Sequence, residues 1–316
     1  MPDSPALLVI GECVADIVRL PGVPDRIHPG GSPANVAYGL ARLGRSTTLV
    51  TQLGPDPVGR LIGDHLASAG VRVLTDGSGA PTPAATVDLD DAGRATYTFE
   101  ITWTLGPVER PGEMPQHVHT GSVATALEPG ADTVLDLVRS LRTEATISYD
   151  PNVRPALMGD HARAVHRAER CAALSDVVKA SDEDLLWLYP DELPEEAAGR
   201  WLRSGPAVVL LTRGAGGATA FLPGATVSTG APPVPITDTV GAGDAFMSGT
   251  LHALAAHGLL GARGRARLRA LDTAVLRDVL RHAVASAAVT VARAGALPPD
   301  EEELAVALTS VPAPEH

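Results

Sequence analysis

AVVLLTRG (207–214) is an unbroken apolar run closed by a polar pair and a glycine. A segment apolar at every position, rather than at alternate ones, is what a strand needs when it is covered on both faces in the middle of a parallel sheet. Upstream, DVVKA (176–180) and ATISYD (145–150) are short strands, and another strand ends near Gly121, before SVATAL (122–127). The N-terminal stretch ALLVIGECVADIVRL (6–20) reads as a buried strand continuing into a second, with Gly11 at the change. A Pro/Gly-rich loop is predicted over 21–31, followed by a helix. Ser32 is its expected N-cap, Pro33 its first helical position, and Gly44 the C′ residue after Leu43. LVTQLG (49–54) is a further strand, and residues 64–71 end a second helix at Gly70. The final third is helical over 242–257 and about 272–293, closed by Gly258 and Gly295.

One stretch breaks the alternation. AATVDLD (84–90) and RATYTFEITW (94–103) are rich in β-branched and aromatic residues, with the turn expected at Asp90–Gly93. The pattern predicts a doubly wound, mostly parallel α/β sheet flanked by helices, with a small β excursion near its N-terminal end. In such sheets ligands bind beyond the carboxyl ends of the strands, where loops enter helix N-termini.

The chain has 316 residues, 45% of them hydrophobic and 20% charged, enough for a sizeable core. Its formal charge of −12, with scattered arginines, argues against a nucleic-acid partner. The apolar run 6–10 lacks a basic flank and is too short to span a membrane or to act as a signal, so the cytoplasm is the expected address. Cys13 and Cys171 are expected to be buried small apolar residues. Lys179 is the single lysine. It stands in neither a Gly-Lys-Ser/Thr nor a Val-Ala-Ile-Lys context, which excludes a Walker A loop and a protein-kinase strand. Phosphate chemistry is therefore expected to rest on backbone amides, arginine or metal.

ITDTVGAGDAFMSGTLHAL (236–254) is the richest junction. Gly241, Ala242 and Gly243 carry almost no side-chain bulk ahead of a helix, so their N–H groups can converge on an anion. Asp244 follows in the first turn. A carboxylate there repels phosphate but can accept the proton of a hydroxyl that attacks a terminal phosphoryl group. The alternative is an aspartate that only stabilises a helix start. A dinucleotide fingerprint fits poorly, since Phe246 replaces its third glycine. A second segment, GGSPANVAYGLARLG (30–44), supplies Gly30, Gly31 and Asn35, which suit a polyhydroxylated ligand. The histidines, among them His117, His119, His252 and His282, lack metal-ligand spacing and are expected at the surface or behind the site.

These two segments resemble the signature regions of the ribokinase/PfkB family of sugar and nucleoside kinases. Gly11-Glu12 with Asp16, Gly54-Pro-Asp56-Pro-Val-Gly59, His119-Thr-Gly-Ser122, Asp150-Pro-Asn152-Val-Arg154 and Leu211-Thr212-Arg-Gly214-Ala-Gly-Gly217 resemble further family segments in the same order. The resemblance covers nearly the whole chain and implies one ribokinase-like α/β domain with a β-sheet lid over about 13–30 and 84–103. It implies that Asp244 is the base and that the amides of 241–243 form the anion hole. It places Asp16, Gly30, Gly31, Asn35 and Phe99 toward the sugar, and Arg154 toward substrate or phosphate. Ser181, Thr212, Gly214 and Gly217 would line the nucleotide site. ATP, Mg²⁺ and K⁺ are the implied cofactors, with Asp184 reaching Mg²⁺ through water and Asp238 and the Val240 carbonyl holding the monovalent ion.

Three departures bear on that transfer. Where the family often has Asn-x-x-Glu, this chain has Ser181-Asp-Glu-Asp184, one methylene shorter at the acid; another reading has these residues capping a helix. The interval between Gly11 and Gly30 is short, which implies a lid trimmed on that side and leaves lid-mediated homodimer formation open. Glu100 follows Phe99 in the lid strand. Pointing inward it would repel an acid sugar and favour a neutral one such as fructose; facing solvent it would not. The segments look most like the fructokinase branch, with 2-keto-3-deoxygluconate kinase nearby. Phe99 and Trp103 keep a nucleoside acceptor in play, and a non-catalytic sensor on this fold is the remaining alternative.

Overall fold

The structure is a computed structural model that describes residues 6–20, 22–89, 95–108 and 112–310. Its N-terminal half runs β1 (Leu7–Ile10), β2 (Val14–Leu20), β3 (Val23–Gly30), α1 (Ser32–Arg42), β4 (Thr47–Val50), α2 (Pro57–Ser68), β5 (Arg72–Leu74), β6 (Ala84–Leu89), β7 (Ala95–Glu100) and β8 (His117–Gly121). There follow α3 (Gly130–Leu141), β9 (Thr146–Asp150), α4 (His161–Leu174), β10 (Val177–Ser181), α5 (Asp182–Leu188), α6 (Pro194–Ser204) and β11 (Val208–Thr212). The chain closes with β12 (Ala218–Leu222), β13 (Ala225–Thr229), α7 (Ala242–Ala256), α8 (Gly261–Arg269), α9 (Thr273–Val291) and α10 (Glu301–Ser310).

The main sheet has the order β13-β12-β11-β10-β9-β8-β1-β4-β5. It is parallel from β5 to β11, and β12 and β13 add an antiparallel edge that the sequence pattern did not suggest. The chain winds from β1 through β4 to β5, then crosses back to β8 and proceeds outward to β11. The reversal between β1 and β8 is where a doubly wound sheet opens its ligand crevice. Alternate side chains explain the unbroken apolar runs. Leu7, Val9, Val208 and Leu210 pack into the core shared with α1, α7 and α9, while Leu8, Ile10, Val209 and Leu211 fill the opposite face. Each such side chain contributes about 1.5–3 kcal/mol by leaving water.

The second, smaller sheet, ordered β3-β2-β6-β7, spans the segments expected to form the lid. The segment expected as a loop before α1 is the edge strand β3, and its prolines, Pro24 and Pro29, are tolerated because an edge strand need not donate from every position. The expected strand at 49–54 is shorter, ending at Val50. Gly31 rather than Ser32 occupies the N-cap of α1, and the Ser32 hydroxyl is used elsewhere. The turn expected at Asp90–Gly93 lies outside the described residues. Among the described residues no helix is long and apolar enough to cross a membrane.

Gln52 ties the lid to the body. Its amide nitrogen, Nε2, donates to the carbonyls of Pro81 and Thr102, and its Oε1 accepts from the N–H and hydroxyl of Thr104. One buried side chain thus holds both the chain entering β6 and the chain leaving β7. Asp56 adds a second anchor by accepting from the N–H of Gly59 and from the N–H and hydroxyl of Thr82. Gln52→Leu leaves these buried groups unpaired and is expected to cost about 2 kcal/mol. Urea unfolding checks this, and an unchanged midpoint would show that the clamp carries no load.

Candidate active site

The turn before α7 is built from residues with no room for larger side chains. Gly241 has φ 75°, a left-handed conformation, and a Cβ there would stand 2.5 Å from that of Ala296. A Cβ on Gly243 would stand 3.0 Å from the Lys179 ammonium. The first-turn amides of α7 have no carbonyl four residues back inside the helix, so they can meet an anion. The Ala242 N–H also makes a long turn bond, 3.3 Å, to Thr239 O.

Asp244 follows in the first turn, 9% exposed. Its Oδ1 accepts from the Ser32 hydroxyl at 2.6 Å and its Oδ2 from Asn35 Nδ2 at 2.8 Å. Both donors sit in the first turn of α1, so two helix N-termini meet at this carboxylate. Each oxygen keeps a lone pair for another donor. Ser32, expected as a cap, is thereby a site residue, and its partner lies too far along the chain for any local pattern to show it.

The side expected to face the sugar is formed where β2 and β3 meet α1. Asp16 lies so close to Gly30 that a Cβ there would strike its Oδ2, and a Cβ on Gly31 (φ 99°) would stand 2.5 Å from Glu12 O. The glycine pair is thus explained by close approach of lid and body. Asp16 is exposed, yet surrounding protein raises its pKa by desolvation, while His28 and Arg154 pull it down. Glu12 is buried and pushed up to about 7 by that burial, against hydrogen bonds from Ser122 and Ala124. Arg154 is exposed and bonds to the carbonyls of Asn152 and Val153.

Lid register settles which side chains share a face. Asp16 pairs with His28 and Ala85, and Ala85 with Phe99, so Asp16 and the half-exposed Phe99 project from one face. Glu100 pairs with Ala84, which pairs with Ala15, and so belongs to the opposite face. The inward-pointing Glu100 is therefore set aside, and with it the electrostatic argument against acid sugars. Trp103 is likewise no lid residue: it is 1% exposed in the core beside Leu105 and Val134, against Gly130.

The other half of the cleft follows the carboxyl ends of β10 and β11, where Ser181 and Thr212 are in register. Gly214 (φ 48°) and Gly217 (φ 83°) turn the chain after β11, and a Cβ on Gly217 would strike Thr229 O.

The profile of the pfkB family of carbohydrate kinases matches residues 6–303. The chain belongs to this family. It is 35% identical over 262 residues to a fructokinase of Klebsiella pneumoniae, covering 79% of this chain and 85% of that one. It is 32% identical over 289 residues to probable fructokinase-4 of Arabidopsis thaliana, covering 87% and 86%. Among solved structures, the fructokinase of Xylella fastidiosa with bound ATP superposes with a TM-score of 0.81 at 27% identity, covering 96% and 98%. A double mutant of the fructokinase of Vibrio cholerae bound to fructose, ADP and potassium shares the fold at a TM-score of 0.78 and 24% identity, over 98% and 99%. The chain is an ATP-dependent sugar kinase with a ribokinase-like fold.

The residues expected to hold metal differ in their local bonding. Asp184 closes the capping box of α5: Oδ2 accepts from Ser181 N–H, Oδ1 accepts from Val153 N–H, and Ser181 Oγ accepts from Asp184 N–H. It is 6% exposed. Asp238 accepts from the N–H groups of Val240 and Gly295, which hold its carboxyl below the usual range. Its remaining lone pairs and the Val240 carbonyl fit a monovalent cation beside the anion turn. No group of three or more His, Cys, Asp or Glu among the described residues is arranged to hold a metal alone.

Two features of the kinase site escaped the sequence pattern. His117 and His119 are not at the surface: they are 0% and 1% exposed, in a chain running Thr146–His117–Ser148–His119 across β8 and β9. Lys179, set aside because it fits no phosphate-binding motif, is buried beside the anion turn and donates to Asp150 Oδ2 at 2.8 Å.

Proposed function

We propose that the kinase transfers the γ-phosphoryl group of MgATP to a hydroxyl of fructose, with Asp244 as general base. The carrying observation is the place of Asp244, in the first turn of α7 beside a glycine-lined turn and fixed by Ser32 and Asn35 at the start of α1. The acceptor oxygen forms a bond to Pγ as the bond from Pγ to the ADP oxygen breaks, and the hydroxyl proton passes to an Asp244 oxygen. The amides of Gly241, Ala242 and Gly243 receive the charge of the transferring group. Asp16, Gly30, Gly31, Asn35 and Phe99 line the sugar side, and Arg154 serves substrate or phosphate. Ser181, Thr212, Gly214 and Gly217 line the nucleotide. Asp184 would hold Mg²⁺ through water, and Asp238 with the Val240 carbonyl would hold K⁺; the cations supply charge neutralisation at the phosphates. The lid of β2, β3, β6 and β7 closes over the sugar and limits ATP hydrolysis by water.

Fructose is favoured by the two relatives named above, a fructokinase and a probable fructokinase. A nucleoside acceptor loses half of its expected aromatic slot with the burial of Trp103. We place the enzyme in the cytoplasm. A coupled ADP-release screen over fructose, 2-keto-3-deoxygluconate and nucleosides, with Mg²⁺ and with or without K⁺, tests the acceptor. Fructose is expected to give the highest kcat/KM, at least tenfold above the others, and K⁺ to raise it. A preference for the acid sugar or a nucleoside would overturn the choice of acceptor.

A further inference from the structure

Of the 25 Lys and Arg residues all but Lys179 are arginine, and this one ammonium is buried under the site. The ammonium makes one close bond to a carboxylate, where a guanidinium would bring five donors in a fixed fork. Lys179 projects from the sheet face that also carries Asp150 and His119. Its Nζ is 2.8 Å from Asp150 Oδ2 and would be 3.0 Å from a Cβ at Gly243, the last residue of the anion turn. Gly243 is thus required by what lies behind it as well as by the ligand in front.

We infer that Lys179 is a positioning residue of the phosphoryl-transfer step, a fixed positive charge behind the Gly241–Gly243 turn that keeps this acid-rich pocket able to receive the transferring phosphoryl group. The inference rests on the phosphoryl-transfer reading given above. The carboxylates of Asp150, Asp184 and Asp244 all lie within the field of Lys179, and no other lysine exists to balance them. Burial works to discharge the ammonium, but Asp150, then Asp184 and Asp244, raise its pKa and keep it charged. Burial lifts Asp150 to about 6, with Lys179 as the main influence holding it down. Two acidic side chains and the base therefore need this one cation when a phosphoryl group gathers negative charge in front of the turn. The low dielectric of the sheet core lets that charge act through the turn. Asp150 fixes its place, and because Asp150 also accepts from Asn152 N–H, the pair is tied to the loop that carries Arg154.

The test uses the full-length kinase with Lys179→Met, which keeps length and removes charge. A second variant, Lys179→Met with Asp150→Asn, also neutralises the stranded carboxylate and can still accept from Asn152 N–H. In both, kcat is expected to fall on the order of 100-fold, with KM for fructose and ATP changed less than threefold. In calorimetry, Mg²⁺ and ADP binding in the presence of fructose should be unchanged. The extra tightening produced by fluoroaluminate, which mimics the transferring group, should be lost by a similar factor. A folded variant of either kind that keeps kcat, or one that loses ADP affinity as steeply as kcat, overturns the inference. Loss of rate in Asp244→Asn alongside wild-type behaviour of these variants would strike the lysine inference alone. Retention of rate in Asp244→Asn would strike the reading of the base.

Discussion

Asp244→Asn is expected to lower kcat on the order of 1,000-fold while leaving the affinity for ADP and Mg²⁺ unchanged. The substitution keeps size and removes the ability to take a proton. Its consequences for folding are small because the local bonds can be rebuilt. The asparagine Oδ1 can still accept from the Ser32 hydroxyl, which stands 2.6 Å from Asp244 Oδ1. On the other side an amide nitrogen would face Asn35 Nδ2 across the present 2.8 Å, two donors opposed. A flip of the Asn35 amide turns its oxygen inward and restores a bond. Sugar affinity is expected to weaken severalfold, because the flipped Asn35 presents the wrong group to a hydroxyl. Steady-state kinetics, ADP titration and a thermal melt together separate these effects. A variant that folds, binds ADP and keeps more than a tenth of the rate would show that the proton goes elsewhere.

What the sequence made legible follows the range of the forces involved. The run 207–214 and the glycine junctions at 30–31 and 241–243 are local signals, since a strand covered on both faces and a backbone pressed against neighbouring atoms restrict the residues in place. The strand β3 does not stand out in the sequence because prolines and glycine mark turns in most settings, and only its edge position makes them acceptable. The face of Glu100 depends on register with β6 and β2, and a shift of one residue would reverse it. Ser32 and Lys179 were missed for another reason. Their meaning resides in partners distant along the chain, Asp244 for the one and Asp150 with Gly243 for the other. Motif spacing cannot reveal a charge brought to a phosphate turn from the neighbouring strand.

A second large effect is expected in the pH dependence of stability when His117 and His119 are both replaced by glutamine. Burial lowers each imidazole to about 3, assisted by Arg265 for His117 and by His117 and Lys179 for His119. In the unfolded chain both titrate near 6.5. Between those values the unfolded state holds more protons than the folded state. The contribution of each histidine is therefore complete above about 6.5 and declines as pH falls through the window. At pH 5 the two together are expected to have lost on the order of 4 kcal/mol relative to pH 7.5. The wild-type curve alone does not isolate this loss, because Glu12 and Asp150, raised to about 7 and 6, gain stability on acidification over part of the same range. The comparison with the double variant does isolate it. Glutamine can offer a donor and an acceptor to Thr146 and Ser148, which the histidines contact at 2.7–2.9 Å. The variant is expected to be less stable than wild type at pH 7.5, with the gap closing by about 4 kcal/mol at pH 5 in urea unfolding. A gap that stays constant with pH would mean that these rings are charged inside the folded sheet. Because His119 lies in the field of Lys179, a charged ring there would also weaken the case for that lysine as the cation serving the anion turn.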